Sequence, residues 1–97
     1  VIKKIDKNVL RNSVKCITLT SDDPIDDYMF YNCHNLQEIY ILDGVTSIGN
    51  YAFSGCENLR SVNLPGELIN IGYRAFADCT KIRKINYYAI RVMIICL

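Results

Sequence analysis

Cys33 and His34 stand side by side, the one place in the chain where a nucleophile and a base, or two metal ligands, are adjacent. A thiol beside an imidazole can be activated as a thiolate, and the same pair is half of a zinc set. The spacing argues against both. Neighbours at the end of a helix diverge by about 100°, so the two side chains do not converge. The chain has a single histidine, and Cys56 and Cys79, which recur in step with Cys33, are followed by Glu57 and Thr80. The acidic run of Asp22, Asp23, Asp26 and Asp27 reads DDPIDD, without the alternation and glycine of a calcium loop. No glycine-rich phosphate loop, paired carboxylates or Ser-His-Asp set is found. No catalytic or metal-binding residues, no cofactor and no enzymatic activity are expected.

The elements that position these residues come from a repeat. Shifted by 23 positions, residues 51–74 overlie residues 28–51 and then residues 75–88. Phe30, Phe53 and Phe76 fall in phase, as do Cys33, Cys56 and Cys79, Leu36, Leu59 and Ile82, and Ile39, Val62 and Ile85. Ile48 and Ile71 correspond, each followed by a glycine, Gly49 and Gly72. A fixed period in the twenties marks an architecture in which each unit is one coil and the core is shared between neighbours. Val14, Ile17 and Leu19 have the spacing of Leu36, Ile39 and Ile41 but lie 22 residues earlier. Ile25 is back in the 23-residue phase with Ile48, so a one-residue adjustment is expected around residues 21–24.

Within a coil, residues 37–42 alternate polar and apolar, which predicts a short strand with Ile39 and Ile41 inward. Asp43-Gly44 and Pro65-Gly66 turn the chain. Val45 with Ile48, and Leu68 with Ile71, return to the core. Tyr51, Ala52 and Phe53 predict one or two turns of helix, with Asn50, and Asp27 one coil earlier, capping its start. Stacked coils align the strands in a parallel sheet. Outward positions then form a concave stripe: Glu38, Tyr40 and Leu42, then Ser61, Asn63 and Pro65, then Lys84, Asn86 and Tyr88. Tyrosine is enriched at binding hot spots, and it also favours strands whatever its role.

Ninety-seven residues, about half of them hydrophobic, are enough for one domain with a continuous core. The net charge of +1 gives no reason to expect nucleic acid as a partner. The apolar run at residues 92–97 is far shorter than the ~20 residues of a membrane-spanning helix. No secretory signal is visible, and the chain opens on Val1, as a fragment or processed product would. Five cysteines are an odd count, and three share one phase, which predicts a ladder of buried thiols and leaves crosslinking between coils as the lesser alternative. The chain divides into a lead-in over residues 1–13, the repeats over 14–88 and an apolar tail or further repeat over 89–97.

The stretch YAFSGCENLRSVNLP, followed by LINIG, resembles the BspA-type leucine-rich repeat, whose unit reads approximately I-G-x-x-A-F-x-x-C-x-x-L-x-x-I-x-I-P. Met29 stands where that unit has Ala, Leu42 where it has Pro and Asp26 where it has Gly. The resemblance implies an α/β leucine-rich-repeat solenoid, a right-handed β-α superhelix, here of three to four coils with a parallel sheet on the concave face. It implies a non-enzymatic protein-recognition module of a surface or secreted protein, used for adhesion to host or matrix proteins. The alternative is a set of spacer repeats within a larger surface protein, with no ligand of their own. The expected partner is a protein, and open ends allow self-association through unpaired strand edges.

Overall fold

A computed structural model describes residues 12–20 and 25–87. Six short strands form: β1 (Cys16–Leu19), β2 (Glu38–Ile41), β3 (Ser47–Ile48), β4 (Ser61–Leu64), β5 (Asn70–Ile71) and β6 (Lys84–Tyr87). They assort into two parallel sheets, one of four strands in the order β1-β2-β4-β6 and one of two, β3-β5. Strands separated by one repeat are neighbours, an arrangement consistent with a repeat solenoid. Ile39 lies opposite Val62 and Val62 opposite Ile85, so the 23-residue step of the sequence is the register of the sheet. β1 meets β2 at Cys16 and Glu38, 22 residues apart, and an isolated bridge from Ile25 to Ile48 restores the longer step. The adjustment therefore falls between Leu19 and Ile25.

The core lies between the two sheets and the outer turns. Ile17, Leu19, Ile39, Ile41, Val62 and Leu64 enter it from the large sheet, and Ile25 and Ile48 from the other side. Phe30, Phe53 and Phe76 stack through it with ring centroids 5.1 and 5.2 Å apart. Cys33 and Cys56 are buried and Cys79 half-buried, as the common phase predicts. No disulfide links the four described cysteines. The Cys56 and Cys79 thiols instead donate to the carbonyls of Phe30 and Phe53 in the preceding repeat, at 3.2 and 3.1 Å. Flanking thiols of Cys33 and Cys79, together with burial, push the Cys56 pKa far above the usual thiol range.

The outer segment departs from the expected helix. Between Ile25 and Tyr87 no α-helix forms, and each outer segment is a chain of turns. Two positions per repeat take a left-handed backbone: Tyr28, Tyr51 and Arg74 at φ 61, 57 and 52°, and Asn32, Gly55 and Asp78 at 57, 78 and 59°. With left-handed residues four apart, a right-handed helix cannot propagate. Hydrogen bonding takes another course. Ala52, Ser54 and Cys56 donate three residues back, to Gly49, Tyr51 and Phe53. The alternate amides of Tyr51, Phe53 and Gly55 donate to Tyr73, Ala75 and Ala77 in the next repeat. Donors that a helix would use on itself here tie one repeat to its neighbour.

The expected helix caps are likewise links between repeats. Asp27 Oδ1 accepts the Asn50 N–H at 2.7 Å, and Asn50 Oδ1 accepts the Tyr73 N–H at 2.8 Å. Tyr73 ends that ladder, lacking a side-chain acceptor at the position. Gly49 and Gly72 are required by close approach. A Cβ on Gly49 would lie 2.5 Å from the Asp26 carbonyl carbon, and one on Gly72 would lie 2.5 Å from that of Gly49. Asp26 keeps its side chain at the equivalent position, where it is exposed.

Of the lead-in, only Asn12 and Ser13 are described. Tyr88 and the tail over residues 89–97 lie outside the described residues.

Candidate functional site

Parallel register sets outward side chains of the large sheet in rows. Cys16, Glu38, Ser61 and Lys84 form one row, and Thr18, Tyr40, Asn63 and Asn86 the next. Inward neighbours Ile39, Val62 and Leu64 are anchored in the core, so alternation commits these residues to the opposite face. Glu38, Leu42 and Lys84 are exposed, and Ser61, Tyr40 and Asn86 are half-buried. The Tyr40 hydroxyl donates to Glu38 Oε2 at 2.9 Å, which fixes the ring over its own strand. Glu38 and Lys84 stand two strands apart, roughly 10 Å at the usual strand spacing. The face is thus acidic at one side and basic at the other, with an aromatic ring and carboxamides between.

Asn63 differs from the expectation of a surface position. It is only 4% exposed. Its Nδ2 donates to the Ile39 carbonyl at 3.0 Å, and its Oδ1 accepts from Asn86 Nδ2 at 2.7 Å. The side chain lies across the sheet and stiffens the floor of the face. Pro65 is buried as well, while Tyr88 lies outside the described residues. Cys16 and Thr18, both exposed, extend the face across β1 and were not among the expected site residues. The signal for them was the Val14, Ile17, Leu19 spacing, which places Cys16 and Thr18 at outward positions.

The Cys33-His34 pair is divided by the fold. Cys33 is in the core, and His34 is on the surface with Nδ1 3.4 Å from Glu57 Oε1 in the next repeat. Among the described residues no group of three or more His, Cys, Asp or Glu gathers where it could hold a metal ion. Asp22 and Asp23 lie outside the described residues, and Asp27 serves the Asn50 amide. Asn35 and Asn58, each two places after a cysteine, also bridge repeats. Asn35 Nδ2 donates to the Asn12 carbonyl, Asn58 Nδ2 to the His34 carbonyl, and Lys81 Nζ to Asn58 Oδ1.

On the opposite side, Tyr28 and Tyr51 stack with rings nearly parallel, 5.0 Å apart, and Tyr73 meets Tyr51 edge-on at 5.7 Å. The Arg74 guanidinium lies over the Tyr73 ring, 5.3 Å from its centre. This cluster follows from the 23-residue phase of Tyr28 with Tyr51. Among the described residues no helix is long and apolar enough to cross a membrane.

No curated protein and no solved structure matches the chain. A family model does. It describes a BspA type leucine rich repeat region (6 copies) and matches residues 23–94, about three quarters of the length. The in-phase Ile-Gly, Ala-Phe, Cys and Leu positions within the matched residues are those the fold uses for close stacking, core filling and thiol hydrogen bonds. The chain therefore belongs to the BspA-type leucine-rich-repeat family.

Proposed function

We propose that this chain is a protein-recognition module of a surface or secreted protein, binding a host matrix or cell-surface protein through the outward face of its large sheet. BspA-type repeats are generally non-enzymatic, typically surface-associated, and suited to protein–protein contact. In this reading the repeats over residues 14–88 form a right-handed solenoid of three to four coils. Glu38, Tyr40, Leu42, Ser61, Lys84, Asn86 and Tyr88 contact the ligand, and Asn63 holds the floor beneath them. The observation that carries the reading is the pairing of opposite charges, Glu38 and Lys84, across a rigid polar floor. Charge of both signs on a preorganised surface selects a complementary protein surface and disfavours a uniformly anionic partner.

The test is capture of the folded chain by immobilised fibronectin and fibrinogen at low and physiological salt. Saturable capture that persists at physiological salt supports recognition by the repeats themselves. Capture that vanishes with salt for every protein tried, albumin included, contradicts it.

A second reading, a spacer without a ligand, is favoured by one observation. The Tyr40 hydroxyl and the Asn63 amide are satisfied within the sheet. A spacer predicts that a folded chain captures nothing from the panel, and that replacing Glu38 and Lys84 changes no property of the molecule beyond its charge.

A further inference from the structure

The net charge of +1 conceals a local concentration of cations. Immediately ahead of the four strands of the large sheet stand Lys15, Gln37, Arg60 and Arg83, one to each strand. The repeat step makes them neighbours. The Gln37 N–H donates to the Lys15 carbonyl at 2.7 Å, that of Arg60 to Gln37 at 2.9 Å and that of Arg83 to Arg60 at 3.0 Å. At the usual strand spacing the row is roughly 14 Å long. It holds three cations and a carboxamide, and no carboxylate. Lys81 and Lys84 flank it in the stretch KIRK.

Lys15, Arg60 and Arg83 are exposed. Among the described residues none of these three side chains is held in an ion pair or a hydrogen bond. The carboxylates of the adjoining segments are placed otherwise. Glu57 lies 3.4 Å from His34, Glu38 accepts the Tyr40 hydroxyl, and Asp78 sits on the left-handed turn before Cys79. Cations lined up without partners give this rim of the sheet a positive potential.

We propose that the rim binds a sulfated polysaccharide, an extended polar chain that carries fixed anionic groups along its length. Guanidinium groups donate to two oxygens of a tetrahedral oxyanion at once and stay charged at any working pH. A row of donors in fixed steps suits a polymer better than a single small anion, because each strand adds a contact within the same bound chain. The surroundings of the row narrow the choice of polymer. Single-stranded nucleic acid is held by aromatic side chains that stack on its bases, and the exposed tyrosines, Tyr28 and Tyr73, stand at the outer turns instead. An anionic membrane takes basic residues together with apolar ones that enter it. Among the described residues no exposed large hydrophobic side chain lies in the rim segments 33–37, 56–60 or 79–83. The ligand that fits is polar throughout. This site lies beside the sheet face, which carries charge of both signs, and stands independently of it.

The test is binding of the 97-residue chain to immobilised heparin, with desulfated heparin, hyaluronate, single-stranded DNA and phosphatidylserine vesicles as comparisons. Saturable binding to heparin at physiological salt, at least about tenfold tighter than to any of the others, is expected. Arg60→Gln with Arg83→Gln should weaken it about tenfold, the loss of two exposed ion pairs. The same pair of changes should lower the slope of log affinity against log salt by about two. Arg60→Lys with Arg83→Lys, which keeps both charges, should retain most of that slope. Arg74→Glu shifts the net charge by the same amount at the outer turns and should bind as the unaltered chain does. A cooperative urea transition establishes that each variant is folded. Absence of heparin binding at physiological salt, or equal weakening by the rim variant and Arg74→Glu, would overturn the proposal. So would equal or tighter binding to desulfated heparin, hyaluronate, DNA or the vesicles.

Discussion

Replacing Phe53 by alanine tests how the repeats hold one another. Phe53 is fully buried, its ring stacked between Phe30 at 5.1 Å and Phe76 at 5.2 Å. Truncating a buried phenylalanine costs about 3–5 kcal/mol. The upper half of that range applies here, because two aromatic contacts worth roughly 0.5–1.5 kcal/mol each are lost together. Phe76 is half-buried with one described ring partner, so Phe76→Ala should cost about half as much, roughly 2 kcal/mol. A 97-residue domain has on the order of 5–15 kcal/mol to lose. Phe53→Ala should therefore be close to the limit of folding, and Phe76→Ala well within it. Urea unfolding followed by circular dichroism measures both. With m of about 1–3 kcal/mol/M, the two midpoints should differ by roughly 1 M. Equal costs for Phe53 and Phe76 would refute the shared, graded core, and a cost below about 1 kcal/mol for Phe53→Ala would refute its burial.

Three further outcomes are expected. Asn50→Ala should cost about 1–2 kcal/mol by stranding the Tyr73 amide, and Asn50→Asp, which keeps an acceptor there, should recover most of it in the same urea assay. Gly49→Ala should destabilise by more than about 2 kcal/mol, because the added carbon meets backbone that cannot yield; a near-neutral result would contradict the stacking distance. In a Cys96→Ser background, iodoacetamide should label Cys16 first and Cys56 only on unfolding. Burial, then the charge of Glu38, raises the Cys16 pKa, so its thiolate fraction at pH 8 is below that of an ordinary thiol and grows as pH rises; Glu38→Gln should speed labelling there.

The repeat was legible in the residues because its step is constant. In-phase phenylalanines, cysteines and leucines had to be neighbours, and the Ile-Gly pairs marked where coils approach most closely. Even the irregular step before Ile25 could be read, since Val14, Ile17 and Leu19 keep the strand spacing. The helix was misread for a physical reason. Ala52, Phe53, Cys56 and Leu59 recur at three and four residues, the periodicity of a helix face, and turns one after another produce the same spacing. What separates the two is the destination of the Tyr51, Phe53 and Gly55 amides, which depends on a repeat 22 residues away. Gly55 and Asn32 suit left-handed backbone, but Tyr28 and Tyr51 give no such sign. At the candidate face, alternation set Asn63 among the outward positions, whereas the structure buries it. Its depth depends on neighbours in two other strands, Tyr40 and Asn86, which no local pattern encodes. The link from Asn50 to Tyr73 was visible as a phase and not as a hydrogen bond.

The central claim is that the outward face of the large sheet recognises protein, and the most direct measurement is a comparison of two surface variants in one capture assay. Tyr40→Ala with Lys84→Glu alters that face, and Tyr28→Ala with Tyr73→Ala alters the opposite side. Each is first checked for an unchanged far-ultraviolet spectrum and a cooperative urea transition. The account predicts that the sheet-face variant loses at least about tenfold in affinity for captured fibronectin or fibrinogen, the effect of one or two hot-spot side chains. The opposite-side variant should bind as the unaltered chain does. Retained capture by the first, with loss by the second, would place recognition on the tyrosine-rich turns and contradict the account.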